Sequence, residues 1–148
     1  MRNCLTLVVA ASVAVGCSVE DPDLPKLHPV TGTVTLDDTP LARAAISFNP
    51  TGSTLGSGST AMTDDQGKYE LTTLHQGAGA PVGEYQVVIS KIVQPDGTEF
   101  APDPNRDMMT TPQKELVPSK YSDPIQTTLS AVVAEGGSTI DFKLKSKP

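Results

Sequence analysis

From Val30 onwards the chain alternates apolar and polar positions with a period of two, the spacing of a strand that buries one face. Val30, Val34 and Leu36 share one side of a first run, Ile46 and Phe48 one side of a second, and Asp37-Asp38-Thr39-Pro40 between them carries turn chemistry. These runs predict a β-hairpin over 30–50. Thr60–Thr63 and Lys68–Thr72 predict a second hairpin around Asp64-Asp65-Gln66-Gly67, with Tyr69 and Leu71 inward. In that turn Asp64 is placed to accept hydrogen bonds from N–H groups two or three residues on, and Gly67 to take the positive φ that closes it. Residues 84–90 form the clearest strand: Tyr85, Val87 and Ile89 point in, and Val88 makes the other face apolar enough to be covered as well. Thr127–Val133 and Thr139–Leu144 predict a closing hairpin through Glu135-Gly136-Gly137-Ser138, with Ile140, Phe142 and Leu144 inside and Lys143, Lys145 and Lys147 outside.

The alternation fails in two places. Thr51–Ser59 is a Gly/Ser/Thr-rich loop, and residues 92–118 make a polar, proline-punctuated excursion before Tyr121 returns the chain to the core. A loop this long inside a compact domain is usually functional or disordered, so the excursion is the first place to look for a recognition surface. Phe100, Met108 and Met109 within it are expected to fold back on the sheet edge. The count is seven strands and no helix, an all-β antiparallel sandwich.

Composition agrees with that class. The chain of 148 residues suits one domain, and its 12 glycines, 13 prolines and lack of Trp favour short strands joined by turns. A formal net charge of −6 with no basic block leaves out the electrostatic footprint of a nucleic-acid binder. Both cysteines, Cys4 and Cys17, precede the strands, so no disulfide staples the domain.

The N-terminus reads as an address. A basic start at Arg2, an apolar or small run over Leu5–Val15 and small residues before Cys17 follow a signal-peptide plan, so residues 1–16 are expected to be removed. Ala14-Val15-Gly16-Cys17 also resembles a bacterial lipobox, which makes Cys17 the expected lipid attachment site and new first residue; ordinary cleavage after Ala14-Val15-Gly16 is the alternative. Acyl chains there anchor an exported protein to a bacterial membrane. Residues 17–29 then hold the lipidated cysteine and a flexible, proline-rich tether reaching up to about 37 Å, and 30–148 the domain. His28 in the tether reads as solvated.

Candidate chemistry is sparse. Gly52-Ser53-Thr54-Leu55-Gly56 is not a nucleophile elbow, and no His-plus-acid pair accompanies it. Asp103-x-Asn105-x-Asp107 opens like a calcium loop, but Met108 stands where the turn needs Gly and Lys114 where the last ligand belongs. Asp64 and Asp65 lack the further oxygen ligands an ion requires. With His28 and His75 isolated, no catalytic residue, metal or cofactor is expected.

Gly32-x-Val34-x-Leu36, Pro40-Leu41-x-x-Ala44-x-Ile46-x-Phe48, Thr63-Asp64-x-x-Gly67-x-Tyr69 and Pro81-x-Gly83-x-Tyr85-x-Val87 together resemble the carboxypeptidase regulatory-like domain. Leu116-Val117-Pro118-x-Lys120-Tyr121 before a Gly-Gly turn is similar to small, planctomycete-type exported lipoproteins that carry this domain alone. The resemblance implies a transthyretin-like (prealbumin-like), seven-stranded Greek-key sandwich; independently of it, Pro81-x-Gly83-x-Tyr85 is similar to the tyrosine corner of β-sandwiches. The family resemblance also implies a non-catalytic module of the cell envelope that binds or scaffolds protein or glycan partners. A transthyretin-related hydrolase would need clustered His, Arg and Ser, whereas Arg43 and Arg106 lie far apart in sequence; a carbohydrate-binding module would expose an aromatic platform. An isopeptide cross-link would need an asparagine in the last strand, and Asn49 and Asn105 are elsewhere.

Overall fold

The computed structural model describes residues 24–101 and 103–147, and these form short β-strands with one four-residue helix. In chain order the strands are β1 (Leu27–His28), β2 (Val30–Leu36), β3 (Thr39–Pro40), β4 (Ala45–Thr51), β5 (Ser59–Met62), β6 (Lys68–Glu70), β7 (Thr72–Thr73), β8 (Gly77–Ala78), β9 (Ala80–Pro81), β10 (Gly83–Ser90), β11 (Ile92–Val93) and β12 (Lys114–Glu115). Helix α1 (Ser119–Ser122) precedes β13 (Ser130–Val133), β14 (Ser138–Thr139) and β15 (Phe142–Leu144). One sheet runs β13-β10-β4-β5-β7-β8 and is antiparallel throughout. The other is built on β2, with β14 and β15 along one edge and β3 and β6 along the other.

The two sheets face each other across one core, as in a sandwich. Val30, Val34, Tyr69, Phe142 and Leu144 meet Ile46, Phe48, Tyr85, Val87, Ile89 and Val133 there, all buried as the alternation requires. The Phe48 ring joins the layers, its centroid 5.7 Å from Tyr85 in its own sheet and 6.1 Å from Phe142 in the other. The Tyr85 hydroxyl donates to the Pro81 carbonyl at 2.8 Å, the bond of a tyrosine corner. Val88, on the opposite face of β10, is only 9% exposed, and α1 lies beside that strand.

The predicted hairpins are corrected. β2 and β4 lie in different sheets, as do β5 and β6, and as do β13 and the β14–β15 pair. Each inward face was assigned from period two, which is local; strand pairing is not. After β2 the chain does turn back at Asp37-Asp38, but only for β3, whose Thr39 and Pro40 pair with Leu36 and Thr35 before residues 41–44 cross to β4, and the Asp64 and 134–137 turns likewise lead into the opposite sheet. The first crossing is stapled by Thr63: its hydroxyl accepts from Ala44 N–H at 2.8 Å and donates to the Leu41 carbonyl, and its carbonyl accepts from Arg43 N–H at 3.0 Å. Arg43 sits at φ 51° within this crossing, a left-handed conformation that the staple holds. The Asp64 turn forms as expected, its Oδ1 accepting from the N–H groups of Gln66 and Lys68 at 2.8 Å, with Gly67 at φ 74°.

Two further expectations change. β14 and β15 run parallel to β2, so pairing is not wholly antiparallel. Between them the chain bulges: the Ile140 carbonyl turns to accept the Tyr69 hydroxyl at 2.7 Å, and the Asp141 carboxylate takes the Thr33 N–H at 2.8 Å. This bulge demands Gly32, since a Cβ there would stand 1.8 Å from the Ile140 oxygen. The helix α1 was not anticipated, and it leaves Tyr121 half-buried against the core.

Strand registers give the sandwich two poles. Val30 pairs with Ser138, Thr51 with Glu84, and Gly83 with Val133, and the 134–137 turn joins these ends. Leu36 pairs with Leu144 and Ser90 with Ala45, and residues 41–44 join those. The first set is the entry pole, where the chain arrives through β1; the second is the distal pole.

Candidate functional site

The sequence-predicted lipid site, Cys17, lies outside the described residues, as do the signal 1–16 and residues 18–23. Leu27–His28, assigned to the tether, are instead a strand paired with Ala80–Pro81. His28 is not a solvated residue: its Nδ1 accepts the Gly136 N–H at 2.9 Å, tying β1 to the 134–137 turn. Ser53 lies in an exposed loop, and His75 occupies an exposed turn at φ 63°.

The excursion springs from the distal pole, next to the end of β10. β11 and β12 pair at its root, Ile92 with Glu115 and Val93 with Lys114, so residues 94–113 form one long hairpin connection. Four charged side chains fasten it. The Lys91 side chain, only 10% exposed, sends its ammonium to the Ala42 carbonyl and to Glu99 Oε1, each at 2.7 Å. Glu99 Oε2 accepts from Arg43 Nη1 at 2.5 Å, so one carboxylate bridges the excursion to the crossing between sheets. Glu115 closes the root: Oε1 accepts the N–H groups of Lys91 at 2.9 Å and Val117 at 2.8 Å, and Oε2 accepts the Ser90 hydroxyl. The Lys91 hydrogen bond, with the Lys91 and Arg43 charges behind it, holds the Glu99 carboxyl below the usual carboxylate range against the opposing pull of desolvation.

The predicted calcium-like residues are spent locally. Asp103 Oδ1 accepts the Asn105 N–H at 2.9 Å; Asp107 Oδ1 accepts the Met109 N–H at 2.9 Å, and Oδ2 the Thr110 hydroxyl at 3.0 Å. The Met109 N–H, then the Thr110 hydroxyl, keep the Asp107 carboxyl low. These are Asx-type turns that shape the loop. Among the described residues no group of three or more His, Cys, Asp or Glu is placed to hold an ion.

Of the apolar loop residues, Phe100 is partly buried and packs within the loop, with the Arg106 guanidinium 4.7 Å over its ring. Met109 does not: it is 96% exposed, and Met108 is also largely open. The two arginines that are distant in sequence thus both engage the excursion, Arg43 from below and Arg106 from within. Sequence reasoning missed Lys91, Glu99 and Glu115. No local spacing marks them, since the partners that fix them lie 8, 24 and 49 positions away.

No family model, no curated protein and no solved structure matches this chain. Among the described residues no helix is long and apolar enough to cross a membrane.

Proposed function

We propose that the chain is a non-catalytic cell-envelope lipoprotein, a binding or scaffolding module that meets a protein or glycan partner through the excursion at 94–113. In this reading residues 1–16 are removed, Cys17 carries the lipid, and the domain is a carboxypeptidase regulatory-like, Greek-key sandwich of the transthyretin-like kind. The observation that carries it is polarity. The chain enters at one pole, at Leu27–His28, and the excursion is fastened at the other, by Lys91, Glu99 and Glu115. An anchor upstream of β1 leaves the excursion facing away from the membrane, separated from the entry pole by β10, whose eight residues span about 26 Å at strand rise. The Tyr85–Pro81 bond supports the fold assignment.

Two measurements test it. Mass spectrometry of the mature N-terminus is expected to find a diacylglyceryl group on Cys17; an unmodified thiol rejects the anchor. Affinity recovery from envelope extracts is expected to fall when residues 103–112 are replaced by a Gly/Ser segment of equal length. That replacement spares Lys91, Glu99 and Glu115, so the root stays closed. Equal recovery with both proteins rejects the excursion as the recognition surface.

A further inference from the structure

The entry pole carries exposed apolar side chains that the sandwich does not use, set beside the polar groups of His28 and Ser53. Leu24, Leu55 and Val82 are 50%, 73% and 43% exposed. Leu55 and Val82 line a groove of about 470 Å³ together with Pro25 and Pro81, and Lys26 and Glu135 stand at its side. The face is rigid. Thr54 Oγ1 accepts the Glu84 N–H at 2.8 Å and donates to the Glu84 carbonyl at 3.0 Å, fixing the loop that bears Leu55 to the start of β10. Next along, a Cβ on Gly56 would lie 2.9 Å from Pro25 Cγ and 3.3 Å from Pro81 Cγ, so the loop backbone lies directly on the two prolines. Val82 is held between β9 and β10.

We infer that this face rests on the bilayer that holds the acyl chains of Cys17, with Leu24, Leu55 and Val82 entering its interfacial layer; the inference builds on the lipid-anchor reading above. Chain length selects this occupant. From Cys17 to Leu24 seven residues can reach no more than about 25 Å, and the paired β1 leaves no more slack, so the entry pole is the part of the domain nearest the lipid. A short tether also raises the effective concentration of the face at the surface to about the millimolar range, so weak apolar insertion suffices to hold it there. Docking fixes orientation: the excursion then points outward instead of sampling all directions about a loose leash.

The test uses the full-length, lipidated protein in vesicles of phosphatidylethanolamine and phosphatidylglycerol. With the Cys17 thiol blocked by lipid, Leu55→Cys and, separately, Val82→Cys give single labelling sites for an environment-sensitive fluorophore. Met109→Cys reports the distal pole. Labels at 55 and 82 are expected to lose about half their emission or more to a nitroxide carried just below the headgroups, at the depth that interfacial apolar residues reach, while the label at 109 is unaffected. Protein that floats with the vesicles but shows equal quenching at 55, 82 and 109 overturns the docking and leaves the anchor standing. Protein that does not float overturns both. Labels at 55 and 82 that escape the nitroxide but transfer energy between copies assign the face to self-association and overturn the membrane contact.

Discussion

The sandwich and the excursion are held by opposite means. In the sandwich the side chains that meet are mainly apolar, its few buried hydroxyls are satisfied locally, as between Ser59 and Thr73, and Phe48, fully buried, touches rings on both sides. In the excursion almost nothing apolar is buried; order comes from a nearly enclosed ammonium, two carboxylates and a guanidinium in direct contact. Apolar contact is non-directional and tolerates the exchange of one hydrocarbon for another. Charge-assisted hydrogen bonds need particular atoms in particular places. The frame therefore tolerates exchange of its hydrocarbon side chains, whereas the fastening of the 94–113 segment depends on the particular atoms of Lys91, Glu99 and Glu115.

The contrast can be broken first at its strong end. Phe48→Ala removes the ring that joins the sheets and is expected to cost about 4 kcal/mol of global stability, read from urea unfolding. A loss under about 1 kcal/mol would mean that the layers do not depend on one another. Next, Lys91→Met keeps the stem of the side chain and deletes its ammonium, leaving the Ala42 carbonyl and Glu99 without that partner. About 2 kcal/mol is expected, with amide exchange rising over 94–99 well before it rises in β10. Uniform acceleration across both regions would show that the excursion is part of the core after all.

The smallest effect is with pH. Because Lys91 lowers the Glu99 carboxyl in the folded chain, this pair contributes stability above the unfolded carboxylate range, and the contribution is lost as pH falls through the lowered value. Between about pH 6 and about pH 3, exchange corrected for intrinsic rate is therefore expected to speed at 94–99 while β10 stays protected. Excursion protection that is flat over this range would remove Glu99 from the fastening.

What could be read in the sequence was whatever is decided within a few residues. The inward positions of β2, β4, β10 and β15, the Asp64 turn and the Tyr85 corner all rest on spacings of two to four, and all appear where expected. The pairing of strands was not readable: Asp37-Asp38 do turn the chain back, but only onto the two-residue β3 before it crosses, and Glu135–Ser138 turn it into the other sheet, so turn residues alone do not say which sheet the next long strand joins. At the candidate site, Asp103 and Asp107 drew attention through a motif spacing, yet they only shape the loop. Lys91, Glu99 and Glu115 hold it, but their contacts join residues 8, 24 and 49 positions apart, and a lone lysine carries no mark of its burial. His28 was misread for the same reason, since its partner Gly136 is 108 positions away.

The parallel seam between β2 and β14–β15 also sets an order of events. Thr33 waits for Asp141, 108 positions later, and Val30 for Ser138. When such a chain is delivered N-terminus first, whether from a ribosome or through a narrow channel, the sheet on β2 stays open until residues 138–144 are free. Closing a loop of that length is slow compared with local pairing. The seam is thus the late step of the fold: pairings among β4, β5, β7, β8 and β10 need nothing beyond Ser90, while this edge of β2 is closed only by residues 138–144.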